Sequence, residues 1–167
     1  MDKQKIVHFF KSEEVFEKAN LIFNSEKQEI QKFLKNADIQ HVGSCSIPGA
    51  ISKFDVDIQV RVEKKSFEEA LNFLSKKYRE KHPEIWRDGF AAFNTKKECS
   101  IDIVLTSVDS KYDDFYKVRD FLINNPEKLK EYNALKMSFE GKPLADYKKS
   151  KAEFLGGNGT VKFLKVI

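Results

Sequence analysis

Phe54-Asp-Val-Asp-Ile-Gln-Val-Arg-Val62 alternates apolar and polar residues without a break. A period of two marks a β-strand, whose side chains point to opposite faces in turn. Phe54, Val56, Ile58, Val60 and Val62 form one face, and Asp55, Asp57, Gln59 and Arg61 the other. Cys99-Ser-Ile-Asp-Ile-Val-Leu-Thr106 reads as a second strand, with Ile101, Ile103 and Leu105 on one side and Asp102 on the other. If the two strands are neighbours, three carboxylates meet on one surface. Like charges that close repel, so something cationic belongs among them. A divalent metal with oxygen ligands is the expected partner.

Upstream, a short strand over 39–42 leads into Gly43-Ser44 and a loop, Cys45 to Lys53, broken by Pro48 and Gly49. Earlier still, residues 12–35 carry Val15, Ala19, Ile22, Phe23, Ile30 and Leu34 at helical spacing, with Ser12 as the expected N-cap. Downstream, Ser66 and Glu69 form a capping box for a helix running to about Lys77. Asp88-Gly89 signals a hairpin between 84–87 and 90–94. Three helices follow. One opens at Asp109 or Ser110 and runs to about Ile123. The next opens at Asn125-Pro126 and runs to about Glu140, and the last covers 144–155. The tail over 160–167 fits strand and helix equally. This order predicts an α+β fold, a small mixed sheet with helices packed on it. It is expected as one domain over 1–167, with an N-terminal helix, a central sheet over 38–106 and C-terminal helices over 109–155.

Composition narrows the function. The chain has 167 residues, 41% of them hydrophobic and fifteen of them Phe, which excludes an intrinsically disordered class. No apolar run approaches the roughly 18 residues of a membrane span, and the N-terminus lacks a signal-peptide pattern. A cytoplasmic location with no membrane partner is expected. Cys45 and Cys99 have neither CxxC nor zinc spacing, and Cys45 is expected as buried filler. A net charge of +4 is weak for a dedicated nucleic-acid binder, so a nucleic-acid partner is possible but not indicated. From residue 126 onward nine Lys face five acidic residues, a surplus equal to the whole chain's charge. That third suits a polyphosphate.

The chemistry follows from the acids. A nucleoside triphosphate needs its charge neutralised before a nucleophile can approach, and two Mg²⁺ (or Mn²⁺) ions about 3.5–4 Å apart do this. Asp55 and Asp57, about 6–7 Å apart along one strand, would hold such ions, with Asp102 completing the set. Gly43 lets backbone approach the phosphates, and Ser44 and Ser46 offer hydroxyls beside Lys53. Lys136 and Lys151 lie on the apolar stripes of their helices, four residues after Tyr132 and Tyr147, and are candidates to reach a phosphate. Tyr132 is a candidate to stack on a base. His41 is expected to be structural, Arg119 and Asp120 an ion pair, and Trp86 core or pocket wall.

His41-Val-Gly-Ser-Cys-Ser-Ile-Pro-Gly-Ala-Ile-Ser-Lys-Phe-Asp-Val-Asp-Ile58 resembles the signature of the GrpB family, within the polymerase-β-like nucleotidyltransferase superfamily. Supporting similarity comes from Val118-Arg-Asp-Phe-Leu122, Asn125-Pro-Glu127, Tyr132, Leu135-Lys136, Tyr147 and Lys151. The resemblance covers roughly residues 35–155. It implies a nucleotidyltransferase-like fold. Asp55 stands where the family usually carries an aliphatic residue, Phe54 replaces Pro, and Cys45 replaces Thr. The chain thus has the full Asp-x-Asp of active nucleotidyltransferases.

The resulting expectation is a metal-dependent nucleotidyltransferase that moves a nucleotide, AMP in the simplest case, from ATP to a hydroxyl acceptor the sequence does not identify. The alternative is a non-catalytic module binding a nucleotide or phosphorylated ligand. An Asp-x-Asp phosphatase is disfavoured because the alternation continues past Asp57. A sugar-nucleotide transferase is disfavoured by the absence of a doubly wound pattern.

Overall fold

The computed structural model describes residues 5–157. Helix α1 (Ser12–Gln31) precedes strands β1 (Asp38–Val42) and β2 (Asp55–Val62). Helix α2 (Phe67–Lys77) leads to β3 (Arg79–Glu80), β4 (Phe90–Lys96) and β5 (Ser100–Ser107). Helices α3 (Phe115–Asn124), α4 (Pro126–Ser138) and α5 (Leu144–Gly157) follow. The strands form one five-stranded mixed sheet in the order β1-β2-β5-β4-β3. β2 and β5 run parallel and the other neighbours antiparallel. The expected α+β architecture is what the chain adopts.

The period-two pattern sets the layers. Val56, Ile58, Val60 and Val62 join Ile101, Ile103, Leu105 and Phe93 on one sheet face. α1 and α2 bury that face with Val15, Ala19, Phe23, Ile30, Phe67, Ala70 and Leu74. The opposite face carries the polar side of β2 but is covered too. Phe90, Ala92 and Val104 pack there against Tyr112 and Phe115. Gln59 is 0% exposed. It donates to Thr106 Oγ1 (3.0 Å) and Asp113 Oδ1 (2.9 Å) and accepts the Tyr116 N–H (3.0 Å). α4 and α5 complete this side, where Tyr132 and Leu155 pack with Val118, Leu122 and Ile47.

Several boundaries differ from the sequence expectation. α1 ends at Gln31, because the amides of Phe33 and Leu34 both turn back onto the Ile30 carbonyl and keep Leu34 in the core. Its N-cap is Lys11, whose N–H donates to Glu14, while Ser12 Oγ accepts the Gly49 N–H at 3.0 Å. Ser66 closes a 3₁₀ turn and makes no side-chain cap. α3 starts at Phe115 instead of 109–110, since the Asp113 carboxylate accepts the Asp109 N–H (3.0 Å) and fixes a turn there. Asp88-Gly89 does form a two-residue turn, but its first arm is a single bridge from Arg87 to Phe90, and β3 lies further upstream. The expectation for 160–167 lies outside the described residues.

Candidate functional site

Parallel pairing of β2 and β5 puts Asp57 directly opposite Asp102. Neighbouring strands are about 4.8 Å apart, so the two side chains share one patch of one face. Asp55 lies two residues back on the same face, opposite Ser100. β1 runs antiparallel beside β2 with Val42 opposite Asp57, so the Gly43-Ser44 turn emerges next to that carboxylate. Gly43 has φ +72°, and a Cβ built there would stand 2.0 Å from Asp57 Oδ2. Only glycine allows this approach.

The loop after the turn is held from both sides. Asn133 of α4 accepts the Ile51 N–H and donates to the Gly49 carbonyl, both at 2.9 Å. Phe54 takes a left-handed backbone (φ +62°), a costly conformation for a bulky residue. Its N–H donates to Ser52 Oγ at 2.9 Å. Lys53 then reaches Asp55 Oδ2 at 2.5 Å.

Lysines surround the acids. Lys81 Nζ lies 2.7 Å from Asp102 Oδ1. Lys148 and Lys151 of α5 line the same cavity as Ser44, Ser52, Asp55, Asp57 and Asp102. Lys136 is 1% exposed, and its Nζ donates to Ser44 Oγ (2.6 Å) and the Ile51 carbonyl (2.5 Å). It also sits 3.9 Å above the Tyr132 ring. A second, mostly apolar cavity adjoins the first. It shares Ser44, Asp57 and Lys151 and is walled by Ile47, Val118 and Leu122.

Burial, then the charges of Asp102 and Asp55, push the Asp57 carboxyl up to about 7, against the pull of Lys151 and Lys53. Burial works against the Lys53 ammonium, but Asp55 holds its pKa above the ordinary lysine value. Lys136 is driven well below that value by burial and the nearby Lys151. Burial first, then Lys81, Lys53 and Lys151, also lowers Lys148.

Asp55, Asp57, Asp102, Ser44, Lys53, Lys136 and Lys151 line one cavity, and Gly43 sits against Asp57. Ser46 does not line it; its hydroxyl donates to the Gly43 carbonyl (2.6 Å) and closes the turn. Tyr132 is 2% exposed, stacked on Phe154 and covered by the Lys136 ammonium, so this conformation offers no ring face to a base. Among the described residues, no group of three or more His, Cys, Asp and Glu is closed up to hold a metal ion. Lysines occupy two of the three carboxylates. The donor chemistry still suits a hard divalent cation. The three acids are oxygen donors on one face, and no salt bridge reaches Asp57 among the described residues.

Sequence reasoning missed Lys81 and Lys148. Lys81 follows a two-residue edge strand too short to show a period, and the Trp86 indole donates to its carbonyl at 3.1 Å. Lys148 was within reach, because it lies three residues before Lys151 on one helix face. His41 stacks on Phe23 with Nδ1 2.9 Å from Asn20 Oδ1, and its buried Nε2 has no hydrogen-bond partner among the described residues. Arg119 pairs with Asp120 and also donates to the His41 carbonyl. Cys45 is buried beside Ser52, and burial pushes its thiol up to about 12. Trp86 packs on Phe93, against the core.

Residues 15–157 match the model of the GrpB protein family. The chain is 30% identical over 150 residues to a UPF0157 protein of Vibrio cholerae serotype O1, covering 89% of this chain and 80% of that protein. The chain belongs to the GrpB family. The crystal structure of the conserved protein GrpB from Enterococcus faecalis superposes with a TM-score of 0.65 at 18% identity, over 94% of both chains, and shares the fold. The Cid1 poly(U) polymerase in its MgGTP-bound form overlaps partially, with a TM-score of 0.42 at 13% identity over 70% of this chain and 43% of that one. No helix among the described residues is long and apolar enough to cross a membrane.

Proposed function

We propose that this chain is a metal-dependent nucleotidyltransferase that moves a nucleotide, AMP in the simplest case, from a nucleoside triphosphate to a hydroxyl acceptor. The observation that carries this reading is the register of Asp57 with Asp102, with Asp55 on the same face and the Gly43-Ser44 turn alongside. The resemblance of these residues to the polymerase-β-like nucleotidyltransferases points the same way.

Asp55, Asp57 and Asp102 would hold Mg²⁺ or Mn²⁺, which would supply the charge neutralisation a nucleophile needs to approach a polyphosphate. The chain's own residues do the rest. Lys148 and Lys151 draw in the phosphate chain from the α5 side. Gly43 keeps the turn free of side-chain bulk where the phosphates must pass. The Lys136 ammonium occupies an acceptor site on Ser44 Oγ, which leaves the serine proton free to donate to a phosphate oxygen. Lys136 thus acts through Ser44. Asp102 takes the proton of the acceptor hydroxyl. Positioning and electrostatics supply most of the rate.

The test is Asp57→Asn. Wild-type protein with ATP, Mg²⁺ and a panel of hydroxyl acceptors releases pyrophosphate. The variant keeps its circular dichroism spectrum and loses that release by about a hundredfold or more. An unchanged rate in the purified variant overturns the assignment.

The pairs Lys53–Asp55 and Lys81–Asp102 favour a second reading, a phosphate-ligand binding module in which lysines permanently neutralise the acids. Calorimetry with ATP and Mg²⁺, followed by mass spectrometry for pyrophosphate, separates the two. Binding without pyrophosphate across the acceptor panel supports the module.

A further inference from the structure

Three features of the acidic cavity need a joint explanation. First, two of its three carboxylates are paired with lysines from different parts of the chain, Lys53 just before β2 and Lys81 just after β3. These pairs are largely enclosed, with Lys81 and Asp102 only 15% and 14% exposed. Second, five lysines and three aspartates line the cavity, so basic side chains outnumber acidic ones by two. A bare divalent cation would add to that excess. Third, the cavity, about 50 Å³, adjoins the second cavity through Ser44, Asp57 and Lys151. Lys53 and Lys81 must swing aside before Asp55 and Asp102 can turn to a metal.

We propose that Lys53 and Lys81 are resident counter-ions of the acidic cup, and that the site takes divalent metal only as a metal–polyphosphate chelate. This deepens the metal-dependent reading above and rests on it. A polyphosphate gives both ammonium groups a stronger acceptor than a single carboxylate. As they turn to it, the carboxylates of Asp55 and Asp102 are released to the metal. The chelate carries net negative charge and so offsets the excess on the wall, which neither the free metal nor the acids alone can do. Metal and polyphosphate therefore bind with positive coupling, and each raises the affinity of the other. The same lysines keep the empty cup from collecting metal by itself.

The test is a binding titration with no turnover. Free Mn²⁺ is followed by electron paramagnetic resonance, with Mn²⁺ alone and with Mn²⁺ premixed with a non-hydrolysable ATP analogue. Wild-type protein is expected to take the Mn²⁺–analogue chelate about tenfold or more tighter than Mn²⁺ alone. Lys53→Met, Lys81→Met and the double variant keep the apolar stems, and each is expected to bind Mn²⁺ alone more tightly than wild type. The wild-type comparison decides the matter if a variant does not fold. Mn²⁺ alone binding wild type as tightly as the chelate does, or folded variants that gain no affinity for Mn²⁺, overturns the counter-ion role and leaves the metal reading standing. If neither Mn²⁺ nor the chelate binds wild type or the variants, both fall together.

Discussion

A methyl group at position 43 would stand 2.0 Å from Oδ2 of Asp57, on a backbone whose φ of +72° already disfavours any side chain. Gly43→Ala is therefore expected to displace the Asp57 carboxylate, to cost about 1–3 kcal/mol of stability in urea unfolding, and to abolish binding of the Mn²⁺–analogue chelate. Asp57 has its own signature. Its carboxyl is held at about 7 in the folded chain, against an ordinary 3.8. Between those values the folded chain keeps a proton that the unfolded chain has released. Stability is therefore lost as pH rises from about 4 to about 7. Asparagine carries no such proton. In metal-free buffer, Asp57→Asn is expected to gain on wild type steadily across that window, by on the order of 4 kcal/mol at its upper end. Parallel urea denaturations at several pH values measure the difference. A constant offset would contradict the buried, acid-crowded environment assigned to Asp57.

At the scale of elements, the polar side of β2 divides into two stretches. Asp55 and Asp57 face the cavity, whereas Gln59 and Arg61 are consumed by the turn that opens α3. Asp113 is 2% exposed and accepts from Arg61 Nε and Nη2, both at 2.7 Å, and from Gln59. Asp113→Ala removes the two-point carboxylate partner of a guanidinium only 14% exposed, which keeps Asp38, and one of the partners of the buried Gln59 amide. A loss of about 2–3 kcal/mol is expected by thermal or urea unfolding. The clamp also explains what the sequence showed and what it hid. Alternation revealed β2 and β5 and the side each aspartate takes, because burial of one strand face imposes that period. Helical stripes revealed Tyr132 and Lys136, both buried on α4. The start of α3 was hidden because Asp113 works through distant Arg61 and Gln59, which no local pattern reports. Lys81 was hidden because a two-residue strand carries no period.

For the molecule as a whole, strand order does what no single element can. The central parallel pair aligns Asp57 with Asp102, β1 brings the glycine turn to their side, and β3 at the far edge delivers Lys81. α4 and α5 close over the cavity with Lys136, Lys148 and Lys151. The acids come from the sheet and most of the cations from loops and helices. Acids on the sheet thus face cations carried by loops and helices, the arrangement the proposed chelate calls for. Crystals soaked with Mn²⁺ and a non-hydrolysable ATP analogue, with anomalous scattering recorded at the manganese edge, examine that arrangement directly. Manganese peaks coordinated by Asp57 together with Asp102 or Asp55, and phosphates within hydrogen-bonding reach of Ser44, are expected. Manganese bound elsewhere, or an analogue seated with Lys53 and Lys81 still on their aspartates and no metal between the acids, would contradict it.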